Sequence, residues 1–205
     1  MQSLRFNEHH FDPELLSLSA RMDAFEGYVH PHGRRIAAIA DALGASFHLA
    51  HQDRIFLQQA ALIHDIGEMV MNREYLQVNR IFDLSERIDM QRHPVIGEQQ
   101  AAKHGLSRAT QLLVRWHHEW WNGTGYPDGL EFDQIPLAAR ILRVADTFCA
   151  LTDARPFRKA LSEEAARKYM AEWAGIEFDP LVIKAFLGLE TTNELRSYAV
   201  AVTQV

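Results

Sequence analysis

The stretch QDRIFLQQAALIHDIG, residues 52–67, decides the fold, because apolar side chains surround nearly its whole circumference when it is wound as a helix. A helix that is apolar on every side belongs in the centre of a protein. The run ends in His64 and Asp65, two polar residues that the helix would carry toward the core, and Gly67 is expected to stop it. We therefore predict a central buried helix over 52–66 with a polar pair at its carboxyl end.

The segments on either side of this run also follow helical patterns. Upstream, apolar residues from Ile36 to Leu43 have the i, i+3, i+4, i+7 spacing of one helix face, and Gly44 is expected to end that helix. His32 lies one turn earlier on the same stripe. Capping signals, turn signals and apolar periodicity predict further helices that begin near Asp83, Pro94, Ser107 and Pro136 and that cover about 162–174 and 178–203. Residues 121–134 are predicted to form a loop, and no segment is typical of a strand, so we predict an all-α helical bundle.

Composition narrows the class of protein. The chain has 205 residues and 47% hydrophobic content, which suits one compact domain, with residues 1–27 as an N-terminal helical extension and 28–205 as the main body. A single cysteine, no signal-peptide pattern and no run of 18 apolar residues indicate a cytoplasmic protein away from the membrane. A net charge of −6 argues against binding DNA or RNA polymers.

Histidines and acids at buried positions indicate metal chemistry. Any one histidine of this kind is more often a helix cap or a satisfied core residue. Taken together, so many polar groups on apolar stripes would each need a partner to offset desolvation, and shared metal ions satisfy all of them. Imidazoles and carboxylates are suitable ligands for iron, manganese and zinc. The candidate ligands are His32, His64, Asp65, His93, His117, His118 and Asp146.

Several separated motifs resemble those of the HD-GYP domain family. They are HGRRI at 32–36, AALIHDIG at 60–67, HPVIG at 93–97, HHEWWNGTGYPDGL at 117–130 and RILRVAD at 140–146. The resemblance covers about 28–188 and implies an HD-domain helical bundle. Family members typically hydrolyse cyclic di-GMP at a cluster of two or three transition-metal ions. The resemblance thus implies a phosphodiesterase with a cyclic dinucleotide as its ligand.

The resemblance also assigns roles to the candidate ligands. We expect two ions, iron or manganese first, with zinc, nickel or cobalt as alternatives, and Asp65 as the catalytic residue that bridges them. A shared hydroxide would attack phosphorus and open cyclic di-GMP to the linear dinucleotide, and further to GMP. A third ion in the family uses a glutamate four residues before the first histidine, where this chain has Tyr28. Glu26 and His30 are the alternative route to a third ion.

Two further segments resemble substrate-binding parts of the family. Gly125 and Tyr126 belong to the Gly-Tyr-Pro loop. Without the resemblance, the same residues would indicate an ordinary tight turn between helices. Arg155 and Arg158 match two basic residues that contact phosphate, although basic residues at a helix end also complement the helix dipole.

One position departs from the family pattern, and three functions are compatible with this departure. Glu68 stands where most members have a lysine close to the scissile phosphate, and residues 69–80 lack the usual proline-rich lid sequence. A carboxylate there would repel phosphate unless it binds metal, is protonated or acts in catalysis. The chain is therefore an active cyclic dinucleotide phosphodiesterase, an HD-type hydrolase of another nucleotide, or a catalytically weak nucleotide sensor with a signalling protein as its partner.

Overall fold

The computed structural model describes residues 8–77, 80–154 and 159–189, apart from the side chain of Gln77. The described residues form α-helices and three short 3-10 turns, with no strand among them, which confirms the all-α prediction. The α-helices are α1 (Pro13–Phe25), α2 (His32–Ser46), α3 (His51–Ile63), α4 (Ile66–Met71), α5 (Leu84–Met90), α6 (His93–Lys103), α7 (Arg108–Trp116), α8 (Leu137–Thr152), α9 (Glu163–Glu172) and α10 (Pro180–Leu187).

Helix α3 is the central helix that its apolar circumference predicts. Leu57, Leu62 and Ile63 are fully buried, and α1, α2, α7 and α8 all pack against this helix. Helix α8 crosses the same core and buries Ile141, Leu142 and other apolar residues. Helices α3 and α8 thus pack against each other in the interior, and α2 and α7 each pack against both.

Two predicted helix ends are wrong, and close packing explains both. Helix α2 continues past Gly44 to Ser46, and this glycine instead lets the chain at Leu49 and Leu57 approach closely. Helix α3 ends at Ile63, before Gly67, which lies inside α4. A Cβ atom at Gly67 would overlap the backbone carbonyl of His93, so this residue serves the contact between α4 and α6. The local pattern predicts both glycines as helix stops, whereas in the structure they allow close contacts between different parts of the fold.

The predicted helix starts are confirmed. Asp83 and Glu86 form a reciprocal capping box, in which each side chain accepts from the backbone N–H of the other residue, with nitrogen-to-oxygen distances of 2.9 and 3.0 Å. The Ser107 hydroxyl accepts from the Thr110 N–H. His93 is the first residue of α6. Within 121–134 the chain forms a loop with one 3-10 turn at its end, as predicted. Of the helix predicted over 178–203, α10 is described, and 190–203 lie outside the described residues.

Helix α1 shares the core of the main body. Leu15, Leu18 and Met22 are buried in the same apolar cluster as residues of α2 and α3. A boundary between 1–27 and 28–205 stays a prediction. None of the described helices has the length and apolar content needed to span a bilayer.

Candidate metal centre

The predicted ligands stand mostly at helix ends that converge on one region. Helices α2 and α6 each begin with a histidine, α7 ends at a pair of them, and the His-Asp pair forms the turn between α3 and α4. Only Asp146 lies in the middle of a helix, α8. Helix ends suit this purpose because the chain turns there, so neighbouring residues can face the same point from different helices.

The structure brings all seven predicted residues into two adjacent groups. In each group one ligand atom from every residue lies within 4.8 Å of all the others. No other group of this kind occurs among the described residues. The groups are His32, His64 and Asp146, which we call the first group, and Asp65, His93, His117 and His118, which we call the second group.

Asp65 lies between the two groups with one oxygen toward each. Its Oδ1 is 3.1 Å from His93 Nε2 and 3.2 Å from His117 Nε2, both in the second group. Its Oδ2 is 3.2 Å from His64 Nε2 in the first group. Across the first group, Asp146 Oδ1 lies 3.7 Å from the same His64 nitrogen. This is the arrangement that a carboxylate shared by two ions requires.

Backbone carbonyls orient three of the imidazoles. The Nδ1 atoms of His64, His93 and His117 lie 3.0, 2.7 and 2.7 Å from the carbonyl oxygen three residues earlier. A carbonyl oxygen can only accept a hydrogen bond, so Nδ1 carries the proton in each ring. In a neutral ring the lone pair is then on Nε2, which faces the centre, so loss of the Nε2 proton leaves each of these imidazoles able to bind a metal ion.

His32 is oriented by a carboxylate and an aromatic ring that the sequence analysis did not assign. Its Nδ1 lies 2.8 Å from Asp153 Oδ2, and Arg35 donates a hydrogen bond to the other oxygen of Asp153. The Tyr28 ring stacks on the imidazole with centroids 3.7 Å apart. Asp153 is buried although it follows the last residue of α8. A buried acid next to the motif that ends at Asp146 was the available signal for this role.

Two ring nitrogens of the first group support the presence of a ligand. The Nε2 atoms of His32 and His64 are buried and make no hydrogen bond within the described part of the chain. A buried polar atom without a partner costs free energy, so native proteins rarely keep one unless an ion or water binds it. The donor set of imidazole nitrogens and carboxylate oxygens fits a transition-metal ion.

The charges of Asp65 and its neighbours depend on each other. Burial alone would raise the pKa of the Asp65 carboxyl, but the positive charge of His64 and the other histidines around it hold that pKa well below its usual value. Burial would also lower the pKa values of His64 and His93, and the Asp65 carboxylate outweighs it and raises both. Asp65 is therefore ionised and able to act as a metal ligand.

The other three histidines of the centre have lowered pKa values, which favours their neutral form. Burial lowers the pKa values of His32 and His117, and burial together with neighbouring positive charges holds the pKa of His118 well below its usual value. The Arg143 Nη1 atom lies 2.8 Å from His118 Nδ1, and a guanidinium can only donate, so this imidazole nitrogen accepts. Neutral imidazoles are the form that binds metal, and His118 would have to give up this hydrogen bond to bind an ion.

The Gly-Tyr-Pro loop packs directly against the second group. The Tyr126 ring stacks on His118 with centroids 4.8 Å apart, and its hydroxyl lies 3.8 Å from the Met90 sulfur. A Cβ atom at Gly125 would overlap the backbone at Trp120, so only glycine fits there. A contact of Gly125 and Tyr126 with substrate stays a prediction.

Glu119 holds this loop in place. The side chain is 2% exposed, and its two oxygens accept the backbone N–H groups of Asp128 and Leu130 at 2.7 and 3.0 Å. Burial raises the pKa of the Glu119 carboxyl, against the effect of these hydrogen bonds. No predicted role covers Glu119, although an acid directly after the histidine pair is a visible signal in the sequence.

The other predicted site residues have different outcomes. Glu68 lines a cavity of about 370 Å³ that also borders Asp65, and its catalytic role stays a prediction. Glu26 and His30 belong to neither of the two groups. Arg155 and Arg158 lie outside the described residues.

Comparison with known proteins agrees with this geometry. The model of the HD domain family matches residues 21–182, so the chain belongs to this family. The chain is 34% identical over 159 residues to 3'3'-cGAMP-specific phosphodiesterase 3 of Vibrio cholerae, covering 78% of this chain and 35% of that protein. It is 33% identical over 177 residues to the cyclic di-GMP phosphodiesterase response regulator RpfG of Xanthomonas campestris, covering 85% and 47%. These relatives confirm the HD-GYP resemblance, and the chain spans less than half the length of either.

Solved structures share the fold. A cyclic GMP-AMP specific phosphodiesterase of V. cholerae superposes with a TM-score of 0.70 at 22% identity, covering 90% of this chain and 49% of that one. An HDG"Y"P protein from Bdellovibrio bacteriovorus superposes with a TM-score of 0.63 at 18% identity, covering 84% and 58%. At these identities the likeness extends to the helical arrangement alone.

Proposed function

We propose that this chain is a metal-dependent phosphodiesterase that hydrolyses a cyclic dinucleotide. The observation that carries the proposal is Asp65, with one carboxylate oxygen directed at each of two histidine groups. The names of the relatives make cyclic di-GMP and 3',3'-cGAMP the first substrates to test. The proposed products are the linear dinucleotide and, after a second cleavage, GMP.

The two groups would hold two ions, with Asp65 as their shared ligand. The first group supplies two imidazoles and Asp146, and the second supplies three imidazoles. Nitrogen and oxygen donors of this kind favour iron or manganese, with zinc, nickel or cobalt as alternatives. When bound, such ions lower the pKa of a water molecule and offset negative charge on a phosphoryl group.

The protein residues have positioning and binding roles in this proposal. The backbone carbonyls and Asp153 orient the imidazoles, and Tyr126 packs behind His118. Arg155 and Arg158 are the proposed phosphate contacts from the sequence, together with Gly125 and Tyr126 from the loop. A guanidinium matches phosphate oxygens through paired hydrogen bonds.

Glu68 supports a second candidate function. Its carboxylate lines the cavity beside Asp65, where negative charge opposes the approach of a phosphate. A site of this kind suits a nucleotide sensor with weak turnover, acting through a signalling protein partner. It also suits hydrolysis of a different nucleotide, for which the carboxylate would be a working acid.

Turnover and binding together test these alternatives. Anaerobically purified protein is loaded with iron or manganese and incubated with cyclic di-GMP, 3',3'-cGAMP and other nucleotides, and the products are separated by chromatography. We expect linear dinucleotide from a cyclic dinucleotide, and none from metal-free protein. Tight binding without product would favour the sensor, and turnover of other nucleotides alone would favour the re-specialised hydrolase.

A further inference from the structure

The cavity beside Asp65 extends from the metal centre to three aromatic side chains. Its lining includes His118 and Asp146 of the centre, and also Trp120, Tyr169 and Trp173. A volume of about 370 Å³ lies within the range of about 300–1,000 Å³ usual for small-molecule sites. One cavity therefore joins a site suited to phosphate to an aromatic surface.

The three aromatic residues form a contiguous wall. The rings of Trp120 and Trp173 have centroids 6.0 Å apart at 77°, and those of Tyr169 and Trp173 are 5.9 Å apart at 32°. All three side chains are half-buried, so each packs against the protein on one side and borders the cavity on another. They come from the loop after α7, from α9 and from the residue that ends α9.

Helix α8 gives a length scale for this cavity. Asp146 of the centre and Ala150 of the apolar part of the lining are one helical turn apart, which is about 6 Å along the axis. A ribose separates the phosphate and the base of a nucleotide by a span of this order. A phosphate at the centre would therefore leave space for its base farther along the cavity, whose lining includes the aromatic wall.

The polar residues between the two ends are already paired. Arg143 Nη2 donates to Glu177 Oε1 at 2.6 Å, and the Thr147 hydroxyl lies 3.4 Å from the same oxygen. Glu177 is 5% exposed. Because its charge is compensated, this part of the cavity does not repel a flat, polar-edged ring as an unpaired carboxylate would.

We propose that Trp173, flanked by Trp120 and Tyr169, is a nucleobase subsite that stacks one purine of the dinucleotide. The inference rests on the proposed function only in placing the phosphate at the metal centre. Stacking uses the π-face that every base has, so it tolerates either purine. The subsite would therefore accept guanine or adenine, and specificity between them would come from other contacts.

Calorimetry on the metal-loaded full chain isolates the contribution of the base. The probes are 5′-GMP and ribose 5-phosphate, which share a sugar phosphate and differ in the base. We expect GMP to bind the unmodified protein at least about tenfold more tightly, the scale of one base–aromatic stack. Trp173→Leu keeps an apolar side chain without a ring and should bring the two affinities to within about threefold, whereas Trp173→Phe should retain most of the difference.

A matched control uses a tryptophan away from the cavity. Trp121 packs against Phe132 and Arg140 and does not line the cavity, so Trp121→Leu should leave the ratio of the two affinities unchanged. Ribose 5-phosphate affinity and metal content should also be the same in every variant. These readouts separate a missing stacking face from general damage to the fold.

The outcomes distinguish this inference from the proposed function. Equal affinities of the unmodified protein for both probes, or an unchanged ratio in Trp173→Leu, would overturn the subsite. Binding of GMP that depends on Trp173, without turnover of any cyclic dinucleotide, would support the subsite and reject the phosphodiesterase. Turnover with an unchanged ratio would support the enzyme and reject the subsite.

Discussion

Asp65 combines an ionised side chain with a largely buried position, which is costly unless positive charge compensates it. Its two oxygens lie 3.1–3.2 Å from three imidazole nitrogens, His93 and His117 on one side and His64 on the other. Histidines without metal can compensate a carboxylate only if they are protonated, and a protonated histidine cannot bind metal. The same residue therefore controls both the charge of the centre and its capacity for ions.

The first prediction concerns Asp65→Asn. The amide keeps the size of the side chain, but it carries no charge and only one oxygen, so it cannot be shared by two ions. Metal content measured by elemental analysis should fall from about two ions per chain to below one. Asp41→Asn, which removes a carboxylate paired with Arg54 away from the centre, should leave the content unchanged. Full occupancy in Asp65→Asn would reject the bridging role.

The second prediction concerns Glu68→Lys. The lysine would replace repulsion of the phosphate by attraction on the cavity wall, so turnover of cyclic di-GMP should rise severalfold with metal content unchanged. Glu74→Lys makes the same charge change at an exposed residue and should have no effect. Loss of metal in Glu68→Lys would identify Glu68 as a ligand, and loss of turnover alone would identify a working acid.

At the scale of elements, the centre depends on how closely α4 approaches α6. Gly67 lies in the first turn of α4 against the backbone of His93, which is both the first residue of α6 and a predicted ligand. The small size of Gly67 therefore sets the position of α6 and, with it, the position of the His93 side chain. A methyl group there could be accommodated only if one of the two helices moved.

The third prediction follows from this contact. Gly67→Ala should destabilise the protein by about 1–3 kcal/mol, as overpacking does, and should lower metal content because His93 moves with its helix. Gly188→Ala is the control, since a Cβ atom there meets nothing closer than 3.5 Å, and its effect should stay within about 1 kcal/mol. Denaturant unfolding measures both, and equal stability of the two variants would contradict the proposed close approach.

At the scale of the whole molecule, the candidate ligands come from three helices and two turns, so an ion bound to them would link distant parts of the chain. His32 and its partner Asp153 are 121 residues apart. Binding to the folded state alone shifts the unfolding equilibrium. The metal centre is therefore expected to contribute to the stability of the entire domain.

The fourth prediction is a stability difference on metal removal. Reloading chelator-treated protein with manganese at about 100 times its dissociation constant should add about 2.7 kcal/mol and raise Tm by about 5–10 °C for each site that is filled. Magnesium, which prefers oxygen ligands, should raise it less. The measurement is thermal unfolding of the chelator-treated and the reloaded protein, and of Asp65→Asn treated in the same way. A manganese-induced shift as large in Asp65→Asn as in the unmodified protein would place the stabilising ion elsewhere.

The sequence by itself determined the helical class, the central position of α3 and the identity of the seven candidate ligands. These features depend on local information: apolar periodicity, capping residues, and histidines or acids at buried positions. The departure at Glu68 was visible because the resemblance to the HD-GYP family gives the residue expected at that position. A residue type at a motif position needs no knowledge of its neighbours in space.

Only the tertiary structure decided how these residues are grouped and what surrounds them. The division into two groups with Asp65 between them depends on helix packing, as does the close approach that keeps Gly67 from ending a helix. The pairing of Arg143 with Glu177, 34 residues later, and the wall around Trp173 join segments with no shared local pattern. Such contacts arise from the way helices pack against each other, and periodicity within one helix does not specify its partner.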